Sequence, residues 1–275
     1  MKKKNLSLLE RIASVPHIVW AVLFIVGPLL FVAYFAFTDA EGAFTLSNIA
    51  ELSSYSHIFF MSICFALVAT FFCLLIGYPL ALAMVNAKPS MQKLLMVLLM
   101  LPMWISLLIR TYSLMTLLDN GGLVNSLLTA MGLNPVSIVG TGGAVVLGMI
   151  YDFLPYMVLP IYTSLQKMDK RYLEAAADLG CNSFQTLTRV ILPLTAPGIL
   201  SGVTMVFVPS ISTFYISQKL GGGNFDLIGD TIERQFQHTS TYHVGAALSL
   251  VMMILILIST AVMNRFSDGE EGVAV

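Results

Sequence analysis

The chain has 275 residues, of which 57% are apolar and only 11% charged, with a formal net charge of −1. Soluble domains carry about a quarter charged residues, so this composition excludes an ordinary water-soluble fold. The near-neutral balance also gives no basis for nucleic-acid binding.

The N-terminus carries Lys2, Lys3, Lys4 and Arg11 ahead of an apolar run from Ile18 to Phe37. A signal peptide has a shorter apolar region and a small-residue cleavage site. Neither is present here, which predicts an uncleaved first span. Further segments near Ile58 to Val85, Leu94 to Leu118, Ile138 to Leu165, Ala196 to Gln218 and Val244 to Met263 are each long enough to cross about 30 Å of hydrocarbon. The expectation is an all-α membrane protein with six transmembrane helices. Its cytoplasmic segment covers residues 1–17, its transmembrane domain 18–264 and its tail 265–275.

Lysine and arginine set the orientation. With the N-terminus inside, Lys2, Lys3, Lys4, Arg11, Lys88, Lys93, Lys167, Lys170, Arg171, Arg189 and Arg265 all fall on the cytoplasmic side. Lys219 and Arg234 fall outside, and Arg110 lies within a span. Both termini are therefore expected in the cytoplasm. Cys64, Cys73 and Cys181 have neither disulfide nor zinc spacing, and His17, His57, His238 and His243 form no ligand cluster. No catalytic dyad or triad is suggested.

Two charges sit within predicted spans, where each costs about 2.5–3.5 kcal/mol and usually meets a cavity or a partner. Helical spacing puts Asp152 on one side of the fourth span with Gly148, Tyr151, Pro155 and Tyr156. A carboxylate beside phenol rings suits a cationic substrate, since aromatic faces add about 0.5–2 kcal/mol of cation–π attraction. Pairing of Asp152 with Arg110 or with a partner chain is the structural alternative. Arg110 itself is expected to snorkel outward or to pair with an acid. In the fifth span Ser210, Thr213, Phe214 and Ser217 recur at helical spacing with Tyr215 beside them, while Gly198 and Gly202 read as a close helix contact.

The inner loop 166–195 is too long to be slack. It contains Glu174-Ala175-Ala176-Ala177-Asp178-Leu179-Gly180, a run of good helix formers closed by a glycine suited to a helix C-terminus. Physically this is a short surface helix, with Glu174 and Asp178 one turn apart and small alanines that would seat in a groove. An ordinary amphipathic surface helix is the plain alternative.

This string resembles the Glu-Ala-Ala loop of ABC importer permeases. The pattern matches at Glu174, Ala175, Ala176, Gly180, Leu192 and Pro193 and departs only at Val190, where the family has isoleucine. Leu154-Pro155-Tyr156-Met157-Val158-Leu159-Pro160, Phe214-Tyr215-Ile216-Ser217 with Gly221-Gly222, Leu227-Ile228-Gly229 and Gln235-Phe236 are similar to PotB-type permeases of spermidine/putrescine importers. The resemblance implies the type I importer (MetI-like) fold and a coupling helix at Glu174, Ala175, Ala176, Asp178 and Gly180 that docks on an ATPase. It also implies a PotC-type second permease, two PotA-type ATPase subunits, a PotD-type extracytoplasmic binding protein and a polyamine cargo. Asp152, Tyr151, Tyr156, Ser210, Phe214 and Tyr215 are the candidate path residues; the family lines its path with the fifth span.

No Gly-Lys dipeptide occurs, so no P-loop is present, and ATP with its magnesium is expected on the partner ATPase rather than on this chain. Gly140-Thr141-Gly142-Gly143 superficially resembles a nucleotide loop but lacks the third glycine. Two rivals remain: an ABC permease for another small solute, and an ion-coupled secondary transporter. The second would be favoured by internal repeats, and none is evident.

Overall fold

A computed structural model describes residues 8–271. Lys2, Lys3, Lys4 and the last residues of the predicted tail, 272–275, lie outside them. The described residues are mostly helical, with one isolated antiparallel bridge between Thr38 and Phe44. The helices are α1 (Val15–Ala36), α2 (Ser47–Asn86), α3 (Pro89–Trp104), α4 (Leu107–Leu118), α5 (Leu123–Ala130), α6 (Gly142–Lys167), α7 (Arg171–Asp178), α8 (Ser183–Ser212), α9 (Tyr215–Leu220), α10 (Ile228–Gln237) and α11 (Tyr242–Glu271). Among the described residues, α1, α2, α6, α8 and the apolar part of α11 are each long and apolar enough to cross a membrane, and the bent α3–α4–α5 segment would make a sixth span.

Two predicted spans are not continuous helices. The third is bent by 97° after Trp104. Ile105 and Ser106 are extended there, with ψ of 139° and 137°, just beyond Pro102. The fifth begins earlier than predicted, at Ser183, and stops at Ser212, because Thr213 is extended with ψ of 139°. In hydrocarbon a free backbone polar group costs several kcal/mol, so such breaks need partners from neighbouring elements.

The chain divides into two compact units. Among the described residues the first comprises 8–56 and Ile232–Leu255. Its core is small: Ala36, Ala246 and Ala247 are closed over by Phe35, Phe37, Leu52 and Phe236. Asn48 secures the end of α1 by donating to the Ala36 and Thr38 carbonyls at 3.2 and 2.9 Å.

The second unit comprises His57–Thr231 and, among the described residues, 256–271. Here α6 is the central element, burying Met149, Phe153, Met157, Val158, Ile161 and Leu165. It packs along α8 at backbone contact. A methyl group on Gly198 would lie 2.5 Å from Ser164 Cβ, and one on Gly202 would lie 3.0 Å from the Met157 carbonyl. The small-residue spacing read from the sequence is thus a helix-packing surface, where small side chains let backbones approach. One polar tie crosses nearby, Tyr78 Oη to Thr195 Oγ1 at 3.0 Å.

Candidate functional site

The loop after α6 folds from its own residues. Asp169 opens it by accepting from the Arg171 amide through Oδ1 at 3.0 Å. Helix α7 ends in a Schellman closure: Cys181 N–H donates to the Ala176 carbonyl at 3.0 Å and Gly180 N–H to that of Ala177 at 2.9 Å. Gly180 has φ of +76°, a left-handed conformation that glycine adopts without cost. A reciprocal capping box then starts α8, with Asn182 Oδ1 accepting from Gln185 N at 2.8 Å and Gln185 Oε1 from Asn182 N at 2.9 Å.

This geometry presents Glu174, Ala175, Asp178 and Gly180 to the surface, while Ala176 turns inward and is buried. Glu174 and Asp178 have no ion pair among the described residues. Around them stand three exposed apolar side chains, Tyr172, Leu179 and Phe184, the last two 84% and 72% exposed. None of the three is among the positions matched to the Glu-Ala-Ala pattern. Their signal was bulky apolar residues in an otherwise polar loop. Exposed apolar groups rimmed by polar ones mark an interaction surface.

The second site is the charge inside the spans. Asp152 on α6 is fully buried and Arg110 on α4 is 5% exposed, with Arg110 Nε 3.3 Å from Asp152 Oδ1. Those two atoms face each other without hydrogen-bond alignment, so their attraction is Coulombic. Arg110 Nη1 also donates to the Asp152 carbonyl at 3.4 Å. Thr111 Oγ1 lies 3.0 Å from Asp152 Oδ2 and 2.9 Å from the Leu107 carbonyl, its single proton serving one acceptor at a time. Of the two roles open to Asp152, pairing with Arg110 is the one the structure forms. Arg110 pairs inward and does not snorkel. Thr111 was missed because the contact spans 41 residues of sequence.

The helical face drawn around Asp152 divides. Gly148, Asp152 and Pro155 are buried, Tyr156 is half-buried, and Tyr151 points away at 43% exposure. In the fifth span Ser210 is buried and its hydroxyl donates to the Val206 carbonyl at 2.7 Å, within its own helix. The break at Thr213 takes Phe214, Tyr215 and Ser217 off the α8 axis, so Ser210, Thr213, Phe214 and Ser217 do not share one helical stripe. Phe214 is exposed; Tyr215 lies beneath the Lys219 ammonium, 5.6 Å from its ring centre. No cluster of three or more His, Cys, Asp or Glu side chains suited to a metal occurs among the described residues.

The N-terminus of α10 closes the broken fifth span. Leu227 N–H donates to Asp230 Oδ2 and Ile228 N–H to Ser62 Oγ, at 2.9 and 2.8 Å. Gly229 lies against the Ser212 and Thr213 carbonyls, the negative end of α8.

Residues 73–269 match the family model of the binding-protein-dependent transport system inner membrane component. The chain is 37% identical to the spermidine/putrescine transport system permease protein PotB of Haemophilus influenzae over 256 residues, covering 90% of each. It is 38% identical to that of Escherichia coli over 246 residues, 86% of this chain and 90% of the other. It is 28% identical to the E. coli inner membrane ABC transporter permease protein YdcU over 257 residues, 86% and 82% of the two chains. In fold it is similar to a chain of a bacterial ABC transporter that imports the polysaccharide alginate, with a TM-score of 0.76 at 20% identity over 94% of this chain and 95% of that one. It is also similar to a chain of the MetNI methionine ABC transporter, with a TM-score of 0.56 at 14% identity over 78% and 94%. An all-helical inner-membrane chain with a self-closed Glu-Ala-Ala loop, matched along this length, belongs to the family of binding-protein-dependent transport system inner membrane components.

Proposed function

We propose that this chain is the non-catalytic permease subunit of an ATP-driven importer that passes polyamines of the spermidine/putrescine class across the cytoplasmic membrane. The observation that carries the mechanism is the α7–Gly180 turn, closed by its own hydrogen bonds, which presents Glu174, Ala175 and Asp178 among exposed apolar side chains. The cargo reading rests on identity of 37–38% to PotB proteins over most of both chains.

In this reading both termini and loop 166–195 face the cytoplasm, with the spans between residues 18 and 264. α7 docks on an ATPase that supplies ATP and magnesium, two copies serving this chain and a second, homologous permease. Tyr172, Leu179 and Phe184 bury against the ATPase and the acidic pair meets basic groups there. A binding protein delivers cargo at the opposite end. Phe214, Tyr215, Tyr151 and Tyr156 offer ring faces to an ammonium and Ser210 a hydroxyl. Asp152 reaches cargo only by releasing Arg110.

The test is reconstitution with the neighbouring permease, ATPase and receptor. Spermidine or putrescine should stimulate ATP hydrolysis and accumulate inside vesicles only with ATP and receptor. Stimulation by an unrelated small solute alone would move the cargo to that solute. The pairing of Asp152 with Arg110 favours this second reading, since it leaves no unpaired carboxylate there for a cation. Uptake by the chain alone without ATP would overturn the importer reading.

A further inference from the structure

Two successive turns of α6 receive the two broken spans. At Gly148 a methyl group would lie 2.9 Å from Ile216 Cγ2 and closer still to Leu220 Cδ1, so the missing side chain is what admits α9. One turn on, Asp152 receives Arg110 and Thr111, the polar tie that holds α4 to α6. α9 packs on both α4 and α6, closing a three-helix cluster. Ile216, Ser217, Leu220 and Asp152 are all fully buried, so within this chain the limbs and α6 cover one another here. At 1.5 Å per residue, Asp152 stands about 22 Å along α6 from Lys167, where the α7 loop begins.

We propose that Gly148 and Asp152 form one seat that holds the broken limbs α4 and α9 together, and that Asp152 is a positioning residue that keeps the receptor-facing end shut until the receptor docks. Arg110 and Thr111 hold α4 through Asp152; they do not touch cargo. A charge pair formed in the closed arrangement and lost on opening biases the equilibrium toward closure by its differential energy. Weakening it raises the open population without receptor, and with it idle turnover by the ATPase. The proposal rests on the importer reading and is independent of the cargo.

The experiment uses the complete complex of both permeases and ATPase in lipid nanodiscs, without receptor or cargo. Thr111→Val keeps the shape and both charges but loses the hydroxyl; D152N keeps an acceptor and loses the charge; R110M/D152N removes both charges and leaves no buried ion unpaired. Receptor-independent ATP hydrolysis should rise about twofold in T111V and about fivefold or more in D152N and the double variant, as a population shift requires. A merely structural pair would instead lower the yield and melting temperature of the complex in D152N, and the double variant would recover both with a wild-type basal rate. That recovery, or a basal rate at or below wild type in T111V and the double variant, overturns the proposal. If D152N does not assemble, the other two variants decide it. A wrong cargo shows separately, as a wild-type complex with receptor that spermidine and putrescine leave unstimulated.

Discussion

Gly229 sits on the carbonyl oxygen of Thr213 so closely that a methyl group in place of its hydrogen would lie 2.6 Å from that oxygen, with the Ser212 carbonyl 2.7 Å away. The contact joins the start of one helix to the end of another through backbone, which cannot swing aside. A helix start carries partial positive charge and a helix end partial negative charge, so the arrangement is favourable only while the two can approach.

Gly229→Ala should therefore destabilise the protein by about 1–3 kcal/mol, the usual cost of forcing an extra carbon into a packed site. The thermal midpoint in detergent should fall. An unchanged midpoint would mean that the tip of α10 can shift away without loss.

Gly198→Ala tests the α6–α8 contact. The added carbon would lie 2.5 Å from Ser164 Cβ and 2.8 Å from the Pro160 carbonyl. Overpacking of this kind costs about 1–3 kcal/mol. The companion change Ser164→Gly removes the first of these clashes and should return part of the lost thermal midpoint; no recovery would place the strain at Pro160 instead.

Gly180 separates strain from contact. Its left-handed φ of +76° is strained for any residue with a side chain, yet beyond its immediate chain neighbours no atom lies within 4 Å of where a Cβ would be. Gly180→Ala should cost about 1–2 kcal/mol of local backbone energy. Asparagine visits this conformation more readily, so Gly180→Asn should be milder. Pull-down of the ATPase by the permease should rank wild type above asparagine above alanine. Equal retention by all three would show that the turn does not set docking.

Leu179 and Phe184 are exposed apolar side chains beside that turn. Replacing both with serine removes no buried contact within the chain. The melting temperature of the isolated permease should hold, while ATPase retention falls by about tenfold or more, the loss expected when anchor side chains leave an interface. A lowered melting temperature with intact retention would assign them to the fold instead.

What could be read from sequence depended on how far apart the interacting residues are. The Gly198/Gly202 contact was legible because it repeats within one turn of one helix. The coupling turn was legible because alanines, a glycine and their spacing lie in one short string. The Arg110–Asp152 pair was one of two open roles, since separate helices bring its members together and no local pattern encodes that. The breaks at Ile105 and Thr213 were missed because apolar composition runs straight through them. Hydrophobicity reports what surrounds a segment, whereas the end at Thr213 meets Gly229, which lies beyond it on another helix.

The hydrogen bonds that close the α7 turn all fall between Ala176 and Gln185, none reaching more than five positions along the chain. Such a turn is a portable module: grafted into another permease between helices of matching spacing, it would keep its shape, and the side chains around it would be free to drift toward a new docking partner.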